Sequence, residues 1–179
     1  SPALMTQIIA VANQKGGVGK TTSVLNLASG LAIVGQKTLI IDLDPQGNAS
    51  TGLGIGADNR KLTIYHSLIK KANINDAIQS TMIPLLDIVP ANMNLAACEV
   101  EMIHLPHKEK ILRHILGQIN TQYDYIIIDS PPSLGLLTIN ALVGCNKILI
   151  PMQCEFFSLE GLSHLLKTLE LIKKKLNPT

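Results

Sequence analysis

The chain has 179 residues, 46% of them hydrophobic and 16% charged, with a net charge of +2. That length and balance suit one globular α/β domain and exclude a disordered chain, and the surplus of charge is too small to argue for nucleic acid unless bases gather in one place. No apolar run approaches the roughly 18–20 residues of a membrane span, the N-terminus lacks the basic region of a signal peptide, and Cys98, Cys145 and Cys154 form no C-x-x-C pair, so a soluble cytoplasmic protein with buried reduced thiols is expected.

The first strand is expected over Gln7 to Asn13, whose centre Ile8-Ile9-Ala10-Val11 is the short apolar run of a strand buried in a parallel sheet. Beyond it, Val24, Leu25, Leu27, Ala28, Leu31 and Ala32 recur at helical spacing, so Lys20 and Thr21 should open a helix. Between strand and helix lies Lys15-Gly16-Gly17-Val18-Gly19-Lys20-Thr21-Thr22, which reads as a phosphate cradle. Its glycines let the backbone turn tightly and bring N–H groups against phosphate oxygens at the positive end of the helix. Lys20 offers a charge to the β- and γ-phosphates, Thr21 a hydroxyl to Mg²⁺, and Thr22 a donor to the α-phosphate. The loop departs from G-x-x-x-x-G-K-[ST] by having Gln14 in place of the first glycine and a lysine, Lys15, at its front.

A second strand, Lys37 to Asp42, runs into Asp42-Leu43-Asp44-Pro45-Gln46-Gly47-Asn48, which ends the strand with two carboxylates near its C-terminal end. Ligands of open parallel sheets bind outside those ends, so Asp42 and Asp44 should lie near the phosphate loop. Gly52, Gly54 and Gly56 read as a flexible loop, Leu62 to Lys71 and Ile74 to Gln79 as short helices, and Lys70-Lys71 as a solvated helix end. Leu85 to Pro90 is a third strand, and Met93 to Ile103 and Lys108 to Gln122 are helices. Pro106 between His104 and His107 spoils a shared helical face for a metal.

Tyr125 to Asp129 is an apolar strand that again ends in acid, followed by Ser130-Pro131-Pro132-Ser133-Leu134-Gly135, and Asp129 reads as a Walker B acid ahead of a loop able to sense phosphate. A carboxylate in a buried strand needs a partner or a metal. Leu136 to Gly144 continues as helix, Lys147 to Pro151 as strand, Met152 to Phe157 as loop and Ser158 to Leu176 as an amphipathic helix with Ser158 as N-cap. Lys173-Lys174-Lys175 falls in the last turn of that helix, where cations suit the macrodipole. The chain shows no internal repeat or linker, so residues 1–179 are expected to form a single P-loop ATPase domain, doubly wound and mostly parallel.

On the loop Lys15 to Thr22, the stretches Asp42 to Asn48 and Asp129 to Gly135, and Pro151-Met152-Gln153-Cys154-Glu155 with Leu159-Glu160-Gly161, the chain resembles ParA/Soj partition ATPases of the deviant Walker A class. The resemblance runs from about Thr6 to Leu176. It implies an ATPase that segregates chromosome or plasmid DNA through a cycle of ATP-dependent homodimerisation and nonspecific DNA binding, stimulated by a ParB-like protein. Such a protein would be cytoplasmic, nucleoid-associated and without a membrane partner. Lys15 would reach across the dimer to the partner's phosphates, and Lys20 would hold the β- and γ-phosphates. Thr21 and Asp129 would serve Mg²⁺, with Asp42 supporting the metal and the loop, and Asp44 would orient the attacking water. Family members usually continue past a helix like the last one here, so the chain is expected to lack a C-terminal portion. A MinD-like membrane-associated positioning ATPase differs after Asp44, where Pro45-Gln46-Gly47-Asn48 is of the partition type. A nucleotide-binding module without turnover is the other alternative.

Overall fold

The computed structural model describes residues 5–12, 19–151 and 159–176. The chain passes through β1 (Gln7–Val11), α1 (Lys20–Ile33), β2 (Thr38–Asp42), α2 (Asn48–Gly52), α3 (Ile64–Leu68), α4 (Ile74–Ala77), β3 (Gln79–Ser80), β4 (Leu86–Val89), α5 (Cys98–Met102), α6 (Ile111–Leu116), β5 (Tyr125–Asp129), α7 (Leu136–Gly144), β6 (Lys147–Leu149) and α8 (Leu159–Lys175). Its six strands form one sheet in the order β3-β4-β2-β5-β1-β6, parallel except for the short β3, which runs antiparallel to β4.

Side chains of a strand alternate between the faces of its sheet, and here both faces are covered. Leu39, Ile41, Ile126 and Ile128 point into a core shared with α3, α4, α5, α6 and α7. Ile40, Ile88 and Ile127 point the other way, onto Val24, Ala28 and Ala32 of α1 and Ala49 of α2. Every residue of β2 is buried, and its centre Leu39-Ile40-Ile41 is accordingly apolar toward both faces. At the far edge β6 leaves Ile148 and Leu149 each 40% exposed. On the α7 side, Ile172 of α8 is buried, with Leu169 and Leu176 partly so.

β5 and α7 span the residues expected of them, and the helix after the phosphate loop does open at Lys20. Elsewhere the elements are shorter or broken. The stretch expected as a flexible loop carries α2 up to Gly52 and is tied down by Arg60, whose guanidinium donates to the carbonyls of Ile55 and Ala91 and to Thr51 Oγ1. Met93 to Ile103 divides into a 3-10 turn, Met93–Ala97, and α5, and Asn92 caps the turn by accepting from the Asn94 N–H. α6 stops at Leu116, because Asn75 takes the Gln118 carbonyl and the Asn120 N–H that a longer helix would use. The Ser158 cap, Cys154 and the loop Met152 to Phe157 lie outside the described residues.

Candidate functional site

β5 lies between β1 and β2, with Asp129 in register with Val11 on one side and with Asp42 on the other. The C-terminal ends of the central strands are therefore level, and the segments leaving them meet. Pairing continues one step beyond the strands, where the Leu43 N–H donates to the Asp129 carbonyl at 2.9 Å. This edge, where the neighbours β1 and β5 send their chains to opposite faces, into α1 and α7, is where open α/β sheets take ligands.

Lys15, Gly16, Gly17 and Val18 lie outside the described residues, and the structure resumes at Gly19. Gly19 has φ 95°, a left-handed backbone that favours glycine, and hands the chain straight into α1. No side chain caps α1 and no acid sits in its first turn. The N–H groups of Lys20, Thr21 and Thr22 precede the first intrahelical bond, from the Ser23 N–H to Gly19 O, so they present the positive end of a fourteen-residue helix. Thr22 is exposed on that turn.

Lys20 turns inward and is fully buried. Its Nζ donates to Asp129 Oδ1 and lies 3.7 Å from Asp44 Oδ2. Thr21 Oγ1 donates to the other oxygen of Asp129, at 3.4 Å. Four residues expected at the site thus converge from three separate segments. Burial pushes the Asp129 carboxyl up, against the pull of the Lys20 charge. A carboxylate and a hydroxyl side by side are the hard oxygen donors that suit Mg²⁺, which takes few protein ligands and keeps waters and phosphate oxygens around it. Among the described residues no three His, Cys, Asp or Glu side chains form a metal cage.

Asp44 is 4% exposed and shapes its own loop, for its Oδ1 accepts from the Gln46 N–H at 3.0 Å and its carbonyl from the Gly47 N–H at 2.8 Å. Gly47 has φ 63°, and a Cβ there would stand 2.9 Å from the Ala91 carbonyl oxygen, so the turn requires glycine.

Asp42 is tied into the segment that follows it. Its Oδ2 accepts from Ser50 Oγ at 2.6 Å and from the Ser50 N–H at 3.0 Å, and its Oδ1 accepts from the Asp44 N–H at 3.2 Å. Both oxygens are thereby committed within the protein. Burial first, and then the charge of Asp129, raise this carboxyl to about 6, with the Ser50 and Asp44 hydrogen bonds opposing.

Sequence reasoning missed three residues that support these groups. Ser50 ties Asp42 to the Ala91 N–H, Arg60 fastens the stretch after α2, and Glu99 accepts from the Leu137 N–H at the start of α7. Glu99 packs so closely under Gly135 that a Cβ there would meet its carboxylate at 2.5 Å. The loop after Asp129 is held at both ends, because the Ser130 N–H donates to the Val11 carbonyl and Thr138 Oγ1 to the Ser133 carbonyl. A lone Arg in a glycine-bearing stretch was a signal for Arg60, whereas nothing in the sequence singled out Ser50 or Glu99.

A family model described as an AAA domain matches residues 6–179. The chain is 49% identical over 176 residues to the chromosome partitioning protein ParA of Myxococcus xanthus, an alignment covering 98% of this chain and 62% of that protein. It is 49% identical over 173 residues to the sporulation initiation inhibitor protein Soj of Bacillus subtilis, covering 97% of this chain and 68% of that one. Among solved structures it resembles cobyrinic acid a,c-diamide synthase of Mycobacterium smegmatis with a bound ATP analog and magnesium, at TM-score 0.92 and 34% identity, over 97% of this chain and 71% of the other.

Proposed function

The chain belongs to the ParA/Soj family of partition ATPases, and from that premise we propose that it binds ATP with Mg²⁺ and, in a protein as long as its relatives, hydrolyses it slowly to time a cycle of dimerisation and DNA binding. The observation that carries this reading is the buried Lys20 with Asp44 and Asp129 around it, at the uncapped start of α1. An ammonium sealed from water and balanced, among the described residues, by two carboxylates is poised to exchange partners with a phosphate. The likeness to a nucleotide- and magnesium-bound structure supports the same assignment, while the higher identity to ParA and Soj favours partition over amide synthesis.

Each side chain then has a defined task. Lys20 neutralises the β- and γ-phosphates, and the amides of Lys20, Thr21 and Thr22 donate to phosphate oxygens, with Gly16, Gly17, Val18 and Gly19 supplying the rest of the cradle. Thr21 and Asp129 hold Mg²⁺, whose contribution is to offset charge on the transferring phosphoryl group. Asp44 positions the attacking water, and Asp42 keeps the Asp44 turn in place through the amides it accepts from. Lys15 reaches the phosphates of a second copy across an ATP-dependent dimer. A ParB-like partner stimulates turnover with a basic residue supplied in trans, an effect of about 10³–10⁵ in related phosphoryl transfers. Nonspecific duplex DNA is the cargo surface, which makes the protein nucleoid-associated in the cytoplasm.

Phosphate release from ATP tests the reading, measured on the protein extended to the length of its relatives, with and without duplex DNA and the partner. Turnover that rises with both and is lost in Lys20→Ala is expected. Nucleotide binding with no phosphate released under any condition would make the chain a binding module, and recruitment of the extended protein to anionic vesicles would favour a MinD-like role.

A further inference from the structure

Between α3 and α6, on the sheet face opposite α1, lies a cavity of about 1040 Å³ that shares no lining residue with the site above. One wall is the turn leaving α3, with Ser67, Lys70 and Lys71, and the other runs from His107 through Lys110 to Arg113 and His114. No Asp or Glu lines it, and among the described residues none of the four Lys and Arg side chains forms an ion pair with a carboxylate.

Helix macrodipoles do not account for this gathering of charge. Lys70 and Lys71 follow the end of α3, and Arg113 and His114 sit in the last turn of α6, places where cations are favoured. Both helices are very short, however, and Lys110 stands at the opposite, N-terminal end of α6, where a cation is disfavoured.

A further observation points to a ligand. Ser67 is 2% exposed and its Oγ has no hydrogen-bond partner among the described residues, a state that folded proteins ordinarily avoid. Ser67 is one of the residues that line the cavity. Lys70 and His107 adopt left-handed backbones, with φ 63° and 54°, and they are two of only three non-glycine residues to do so among those described. At Lys70 this backbone closes α3, with the Lys70 N–H donating to the Ser67 carbonyl and the Lys71 N–H to the His66 carbonyl, and it fixes where the two lysines leave the helix.

We propose that this cavity binds a small anion carrying two or more phosphate groups. An Arg fork, Lys ammonium groups and a buried hydroxyl donor are the groups that recognise phosphate oxygens. A concavity of this size can surround a molecule as large as a nucleotide, whereas a duplex presents its phosphates along an extended convex surface.

Tripolyphosphate is a suitable probe, titrated into the isotopically labelled chain and followed at backbone amides, which keeps this cavity distinct from the phosphate loop. Saturable shifts are expected at Ser67, Lys71, His107, Lys110 and His114, separate from any at Gly19 to Thr22. Lys70→Glu with Lys110→Glu should weaken the cavity response by about ten-fold or more, the scale of one lost charge-assisted hydrogen bond, and leave the phosphate-loop response unchanged. Ser67→Ala, which deletes an unpartnered hydroxyl, should fold at least as stably and still bind more weakly. No saturable shift at these residues, or equal affinity in both altered proteins, overturns the proposal. So does a short DNA duplex, titrated in parallel, that shifts the same amides at lower concentration than tripolyphosphate.

Discussion

Lys20 and Asp129 meet at the end of the sheet with both side chains fully buried, so the lysine proposed to meet the phosphates is paired with the acid proposed to serve the metal. Neither partner has water to fall back on. Removing one member of such a pair leaves the other uncompensated, at a typical cost of about 3–5 kcal/mol. Lys20→Ala is therefore expected to lower both ATP affinity and stability. Adding Asp129→Asn should restore much of the stability and none of the affinity. Calorimetry with ATP and urea unfolding of the single and double variants check this, and unchanged affinity in Lys20→Ala would remove Lys20 from the phosphate site.

Asp44 has two separable duties, since Oδ1 holds the Gln46 amide while Oδ2 faces Lys20. Asp44→Asn keeps an oxygen for the turn and loses the charge. In the extended protein it should bind ATP normally, accumulate ATP dimers and lose turnover by about 10²–10⁴, the usual range for a group that positions or activates a nucleophile. Steady-state phosphate release equal to that of the parent would exclude Asp44 from the reaction.

The parts of this site that are local in sequence were legible, and those assembled over distance were not. The apolar run Tyr125 to Ile128, the acid that ends it and the Pro/Gly loop behind it define β5 and its functional end without help from the rest of the chain. By contrast β3 is two residues long and exists only because Gln79 and Ser80 pair with Ile88 and Asp87. Asp42 was recognised as a carboxylate at a strand end, but its dependence on Ser50 comes from α2, a helix with no apolar periodicity to announce it. The basic cavity was unreadable for the same reason. Lys70-Lys71 alone resembles a solvated helix end, and only the packing of α3 beside α6 brings it to Lys110 and Arg113.

Lys15 differs from Lys20 in the geometry its role demands. A lysine acting on the nucleotide of a second copy contributes nothing to the monomer's own affinity. Lys15→Gln should leave nucleotide binding within about two-fold of the parent, well under the ten-fold that 1.4 kcal/mol represents, and abolish ATP-dependent dimerisation of the extended protein. Light scattering that finds an intact ATP dimer would make Lys15 a residue of its own loop instead.

Asp42 gives the ligand-free and metal-free protein a pH dependence of definite sign. Its carboxyl titrates at about 6 in the folded chain against a reference of 3.8. Between these values the native state binds a proton that the unfolded chain releases. The contribution to stability is therefore fully present below about pH 4, is lost as pH rises through about 6, and is flat beyond. At 1.36 kcal/mol per pH unit the interval corresponds to about 3 kcal/mol. Asp42→Asn cannot titrate and, like the protonated acid, offers a single carbonyl oxygen to the Ser50 and Asp44 amides. It should match the parent most closely near pH 4 and gain on it steadily up to about pH 7. The difference between the two proteins is the informative quantity, because ordinary carboxylates elsewhere shift both unfolding curves alike. Urea unfolding of parent and variant across this range provides it. A constant difference would mean that Asp42 is already ionised at pH 4, and that the Ser50 and Asp44 hydrogen bonds outweigh its desolvation and the charge of Asp129.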